Sequence, residues 1–250
     1  MAVQSPLTSA PLFRFSRSAS HLFLSSMNSL KLSGRANAPR PVGVYSGVEN
    51  PSSGGSALKA SADSASAIDF LTLCHRLKTT KRKGWINHGI KRPESVADHM
   101  YRMALMALIA GDLPGVNRER CIKMAIVHDI AEAIVGDITP SDGVPKAEKS
   151  RREEAALNEM CKILGEGIRA DEIKELWAEY ENNASIEASL VKDFDKVEMI
   201  LQALEYEMEH EKVLDEFFIS TAGKFQTDVG KRWAAEVTSR RNKRLGEFQS

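Results

Sequence analysis

Apolar residues recur at helical intervals along most of the chain from residue 67 onward. Ile68, Leu71 and the Cys74-His75 pair predict a first helix from Ala67 to Thr79. A loop follows, containing Lys81, Arg82, Lys83, Gly84, Trp85 and Gly89. Ser95 stands just after Pro93, with Asp98 three residues on, which predicts a capping box opening the second helix. That helix runs through Met100, Met103, Leu105, Met106 and Leu108 to Gly111, and its methionines read as core. A third helix is expected from Asn117, a good N-cap, to Val135, closed by Gly136 and followed by Pro140.

Further helices are predicted over residues 146–164, 170–180 and 185–209, with a final amphipathic one over 229–245. The charged stretch from Lys146 to Glu154 reads as an exposed face laced by i,i+4 pairs. No segment sustains the alternation of a strand, and no internal repeat is visible. The expected class is therefore all-α, a compact multi-helix bundle.

Composition separates the first quarter of the 250 residues from the rest. From Met1 to Val48 there is no acidic residue, whereas Arg14, Arg17, Lys31, Arg35 and Arg40 are basic and serine recurs throughout. An acid-poor, arginine-containing, serine-rich N-terminus is the signature of an organellar transit peptide. The uncharged first dozen residues favour the chloroplast over the mitochondrion, and an internal start at Met27 would leave the product cytoplasmic. Ser, Gly and Ala dominate 50–66 and read as linker, so residues 1–66 are expected to be disordered and 67–250 to form the folded domain. Residues 1–62 carry six Lys/Arg and one acid; because the whole chain is neutral, the remainder is mildly acidic. An acidic body lacks the basic face that nucleic-acid binding requires. No apolar run reaches the length of a membrane span. The three cysteines are widely spaced and form no CxxC, so neither a disulfide framework nor a zinc ribbon is expected.

The candidate chemistry centres on His128-Asp129, two metal-ligand residues set among apolar neighbours. A lone histidine there would read as a hydrogen-bonded core residue. In a continuous helix Glu132 shares a face with both, placed to orient or deprotonate a water, and Asp137 follows at the helix exit. His99 opens the preceding helix. In the long later helix Asp195 is in phase with Val191, Met199 and Gln202, whereas Asp193 points about 160° away. Two imidazoles and two carboxylates at His99, His128, Asp129 and Asp195 leave positions open for water and substrate. After Asp129 the only remaining histidine is His210, which favours one metal ion over two.

These residues lie within longer words: Arg92-Pro93-Glu94-Ser95-Val96-Ala97-Asp98-His99-Met100-Tyr101-Arg102, the stretch from His128 through Pro140, and Lys192 to Tyr206. In order and spacing the chain resembles the HD-domain metal-dependent phosphohydrolases, in particular their 5′-deoxynucleotidase branch. The resemblance implies a single divalent ion (Mn2+, Co2+ or Mg2+) on His99, His128, Asp129 and Asp195. It also implies Glu132 as acid/base, Asp137 near the sugar, and Trp85 shaping the nucleoside pocket. The expected reaction is hydrolysis of deoxyribonucleoside 5′-monophosphates, by a homodimer acting on a small nucleotide. Alternatives are an HD-type hydrolase of dNTPs or cyclic nucleotides, or a non-catalytic HD binding module. Bacterial members of the branch carry an arginine just before that tryptophan, where this chain has Gly84, so phosphate recognition is expected to fall to Lys83, His88, Lys91 or Arg92.

Overall fold

A computed structural model describes residues 53–111 and 113–247 as helices joined by short connections. In chain order these are α1 (Ser53–Thr79), α2 (Lys83–Asn87), α3 (Val96–Ile109), α4 (Arg118–Val127) and α5 (Glu132–Val135). After a 3-10 turn over Pro140–Asp142 come α6 (Lys146–Leu164), α7 (Ile168–Asn182), α8 (Ile186–His210), α9 (Asp215–Thr221) and α10 (Asp228–Glu247). The only β feature among the described residues is one antiparallel bridge between Lys81 and Ser95. The N-terminal region expected to act as a transit peptide lies outside the described residues. Helix α1 begins fourteen residues before the expected Ala67, because a proline-free run of Ala and Ser carries it through the stretch read as linker.

Helix α8 is the axis of the bundle, packed against α3, α4, α7, α9 and α10. Its inward positions include Val191, Phe194, Val197 and Ile200, all essentially without solvent contact. Met103 of α3, Met124 of α4 and Met160 of α6 fill the same core. Their flexible thioether chains suit the irregular gaps between crossing helices. The expected caps form. Ser95 Oγ accepts from Asp98 N (3.1 Å) while Asp98 Oδ2 accepts from Ser95 N (2.8 Å). Asn117 Oδ1 likewise accepts from Arg120 N (3.1 Å).

Two expectations need correction. The third helix is not continuous to Val135 but stops at Val127, and α5 resumes only at Glu132. His128 Nδ1 donates to Ala125 O (2.9 Å), the carbonyl that the Asp129 N–H would take in a continuing helix. The chain then tightens into i→i−3 bonds, Ile130 N to Val127 O (3.1 Å) and Glu132 N to Asp129 O (3.0 Å). The second correction concerns α2, a short helix in a region expected to be loop; α9, in a stretch for which no element is expected, is as short. Each is too brief to show periodicity, and both are held by tertiary contacts around Trp85 and Phe217.

Asp193, fully buried on α8, caps α10 from outside that helix: Oδ2 accepts from Gln226 N (2.9 Å), Thr227 N (2.7 Å) and Thr227 Oγ1 (2.9 Å). The approach is close because residue 230 is glycine; a Cβ there would lie 2.5 Å from Asp193 Oδ2 and 2.6 Å from its Cβ. Gly230→Ala must push α10 away and weaken the cap. The expected destabilisation is about 1–3 kcal/mol, with Tm falling by roughly 2–4 °C per kcal/mol. Thermal denaturation of the two proteins checks this, and an unchanged or raised Tm would contradict the packing described.

Candidate active site

The tight turn after α4 sets the first half of the site. In a 3-10 arrangement residues three apart eclipse one another, so Asp129 and Glu132 come onto one side of the turn. His128 is buried, and with its Nδ1 hydrogen bonded to Ala125 O its Nε2 is left as the lone-pair nitrogen. That nitrogen lies 3.1 Å from Asp129 Oδ2.

The second half comes from α3 and α8. His99 has no solvent exposure, and its Nδ1 donates to Glu198 Oε2 at 2.7 Å. Glu198 is itself fully buried and accepts from Arg102 Nε through its other oxygen (2.9 Å). The carboxylate fixes the ring so that Nε2 points toward Asp195 Oδ1 (3.3 Å) and Asp129 Oδ2 (3.9 Å). Asp195 Oδ2 in turn accepts from Tyr180 OH at 2.8 Å, and the Tyr180 ring packs on His128 with centroids 4.9 Å apart. Asp195 therefore faces this cluster, whereas Asp193, two residues away, faces α10.

Arg82, outside the expected set, enters from the start of α2. Its Nη1 donates to Asp129 Oδ2 (3.3 Å) and its Nη2 lies 3.9 Å from Asp195 Oδ1. A backbone bond from Arg82 N to Glu94 O (3.1 Å) holds the extended residue in place. Nothing in residue spacing distinguishes Arg82 from the neighbouring Lys81 and Lys83; only the fold separates them.

A cavity of about 680 Å3 opens over this cluster. It is lined by Arg82, Trp85, His128, Asp129, Glu132, Asp137 and Asp195, among others. Of the residues expected to contact substrate, Trp85 is almost wholly buried, with Nε1 donating to Glu94 Oε1 (2.9 Å). Asp137 lines the wall, and its Oδ2 accepts from Lys83 N (2.6 Å). The Lys83 ammonium turns away to Asp142, and neither Lys83 nor the exposed Lys91 and Arg92 lines the cavity. Of the four candidates for phosphate recognition only His88 reaches it, at the rim beside Glu216 (3.1 Å).

The electrostatics divide the carboxylates. Burial works against ionisation of Asp129 and Asp195, yet His128, Arg82 and His99 around them hold both well below the usual carboxylate range. Glu132 goes the other way: burial, with Asp129 and Asp137 nearby, pushes its carboxyl well above that range. For His99, burial and Arg82 oppose protonation, but Glu198 and Asp195 raise its pKa to about 10.

The donor set fits a divalent metal. His99 Nε2, His128 Nε2 and Glu132 Oε2 are buried polar atoms without a hydrogen-bond partner, an arrangement that burial penalises. His99, His128 and Asp195 each offer one ligand atom, all within 4.8 Å of one another, and Asp129 Oδ2 lies beside them, 3.1 Å from His128 Nε2. Among the described residues, the other such grouping, Glu94 with His99 and Glu198, is already joined internally by the His99–Glu198 hydrogen bond.

Comparison with known proteins agrees with this geometry. Residues 74–237 match the HD domain. A mouse protein named 5′-deoxynucleotidase HDDC2 is 47% identical over 188 residues, covering 74% of this chain and 94% of its own. The Schizosaccharomyces pombe 5′-deoxynucleotidase hdd1 is 48% identical over 186 residues, covering 72% and 92%. Among solved structures, a conserved hypothetical protein from Pyrococcus furiosus superposes with a TM-score of 0.59 at 34% identity, covering 70% of this chain and 99% of its own. HD-domain-containing protein YGK1 does so with a TM-score of 0.54 at 30% identity, covering 71% and 86%. The buried histidine and aspartate cluster and the extent of these matches agree: the chain belongs to the HD-domain family.

Proposed function

We propose that this protein hydrolyses deoxyribonucleoside 5′-monophosphates to the deoxynucleoside and inorganic phosphate. The observation that carries this is the convergence of two unpartnered imidazole nitrogens, two ionised aspartates and Arg82 at the floor of a cavity of nucleotide size. The two relatives named as 5′-deoxynucleotidases support the same substrate class. His99, His128, Asp129 and Asp195 would hold one divalent ion, with Mn2+, Co2+ and Mg2+ the candidates for mixed imidazole and carboxylate ligation. Such an ion, when bound, supplies Lewis acidity to a phosphoryl oxygen and lowers the pKa of a water.

The chain's own groups do the rest. The Arg82 guanidinium neutralises a phosphoryl oxygen in the fork geometry that lysine lacks. Glu132 takes a proton from the attacking water and returns one to the departing 5′-oxygen as the P–O5′ bond breaks. Burial and the neighbouring Asp129 and Asp137 raise its affinity for a proton, which suits a group that must take one from water and hand it on. Asp137 offers an acceptor to a sugar hydroxyl and, with Trp85 elsewhere in the same lining, would favour deoxyribose. Lys146, Lys149, Lys192 and Lys196 also line the cavity, which favours a second reading in which a longer phosphate chain is cleaved.

Tyr101, Leu105, Leu108 and Ile109 form an exposed apolar stripe at i, i+4, i+7 and i+8 on α3. We propose it as the seat of a second copy. Leu108→Glu is expected to convert a dimer to a monomer in size-exclusion chromatography with light scattering; a wild-type monomer would refute the assignment.

A panel of dNMPs, NMPs, dNTPs and cyclic nucleotides, each with Mn2+, Co2+ and Mg2+, tests the substrate class; preference for any class but dNMPs would displace the proposal. Glu132→Gln is expected to lower kcat by about 10^2- to 10^4-fold while retaining metal by elemental analysis. Undiminished turnover would remove Glu132 from its role.

Metal binding itself has a sign in pH. The His99 pKa is raised from 6.5 to about 10, so the metal-free protein keeps its Nε2 proton at pH 7.5, and a metal must displace it. Calorimetric titration in buffers of different ionisation enthalpy should show release of about one proton per ion. Affinity should rise with pH until about 10. Proton-free binding at neutral pH would contradict a protonated His99 in the metal-free site.

A further inference from the structure

The cavity has an aromatic wall that the chemistry at its floor does not use. Trp85 contributes little accessible surface to it, being 2% exposed with its N–H committed to Glu94. The ring that remains available belongs to Phe217 on α9, which is partly exposed and lines the cavity. Phe217 lies over Trp85 with centroids 4.3 Å apart and planes inclined by 32°, and over His88 at 4.7 Å. Trp85 and His88 are three residues apart and so share one side of α2. The Phe217 ring thus rests on a backing of two rings rather than swinging free.

Its support is unusually firm for a seven-residue helix. Glu207, fully buried on α8, accepts from Leu214 N (2.7 Å) at the start of α9 and from Arg241 Nη2 of α10 (2.7 Å). Arg241 also pairs with Asp215 and lays its guanidinium 4.1 Å over the Phe218 ring. These bonds tie α9 to α8 and α10 and leave Phe217 facing the cavity as a preorganised surface. Preorganisation matters because a ring already immobilised loses little entropy when a ligand stacks on it.

The position suits one part of a nucleotide. Arg82, which faces the two aspartates, and Phe217 line the same cavity, so a phosphate at the first and a base at the second would occupy one site. Met199 of α8 lines the same cavity as the ring.

We propose that Phe217 is the base-stacking residue of this site, its ring face receiving the nucleobase of the substrate. The proposal rests on the nucleotide monophosphatase reading above. Stacking does not distinguish among bases, since each presents a π face, so this wall recognises a base without selecting one.

The test compares dNMP substrates with 2-deoxyribose 5-phosphate, which has the same phosphate and sugar but no base, in the wild type, Phe217→Leu and Phe217→Tyr. Leucine keeps the apolar contact with Trp85 and lacks the ring; tyrosine keeps the ring. The ratio of kcat/KM for dNMP over the baseless substrate is expected to fall roughly 10- to 100-fold in Phe217→Leu. The change should lie mainly in KM, and Phe217→Tyr should restore the ratio. A ratio unchanged in Phe217→Leu, with the wild type active on dNMPs, overturns the stacking role alone. A wild type inactive on every dNMP overturns the nucleotidase reading instead. Should Phe217→Leu fail to fold, saturation-transfer NMR of the wild type with 2′-deoxyadenosine decides: stronger saturation of the base protons than of the sugar protons supports the proposal, and the reverse refutes it.

Discussion

Everything at the floor of the cavity depends on two hydrogen bonds that orient buried imidazoles. His99 gives its Nδ1 proton to Glu198, and His128 gives its own to the carbonyl of Ala125. Each bond fixes a ring orientation, and together they turn two Nε2 atoms toward the same pair of aspartates. The His99–Glu198 bond is also structural. Removing two such groups from water costs several kcal/mol each, so Glu198 is ionised only because His99 and Arg102 meet it from the two sides. Arg102 reaches Glu205 as well (2.7 Å), so α3 is fastened along α8 by the side chains that prepare the metal ligands.

Arg82 resolves a second problem. Asp129 and Asp195 are buried carboxylates, and without a cation they would repel each other. In the metal-free protein the guanidinium supplies that cation. A divalent ion held by His99, His128, Asp129 and Asp195 would supply positive charge of its own, and the Arg82 fork would then be open to an anionic ligand. On the proposed reading, the group that balances the two aspartates is also the one that would meet phosphate.

Much of this was legible in the residues alone. Helix periodicity and caps located α3, α6, α7, α8 and α10, because each is long enough to show an apolar face and to signal its ends. Phase along α8 separated Asp195 from Asp193. The break after Val127 was not legible, since Ile126, Ile130 and Ala131 continue a helical pattern; a side chain competing for one carbonyl ends the helix, and that competition leaves no trace in spacing. Glu198 and Tyr180 were within reach of the same phase argument, three residues beyond Asp195 in one case and on the inner face of α7 in the other. Arg82 and Phe217 were not, because each is placed by a short element whose shape comes from tertiary contact.

The two aspartates of α8 show how fold and site share one helical turn. Residues 193 and 195 are about 200° apart around the axis. Asp195 therefore serves the cavity, while Asp193 takes three donors from the start of α10 on the other side. Helix α10, so anchored, carries Arg241, which with Glu207 holds α9, and α9 closes the far wall of the same cavity with Phe217. The floor is thus set by one side of α8, and its aromatic wall is set by a chain of contacts that leaves α8 from the opposite side. Gly230, whose close approach to Asp193 lets α10 seat on α8, thus has a path of contacts to the aromatic wall of the cavity.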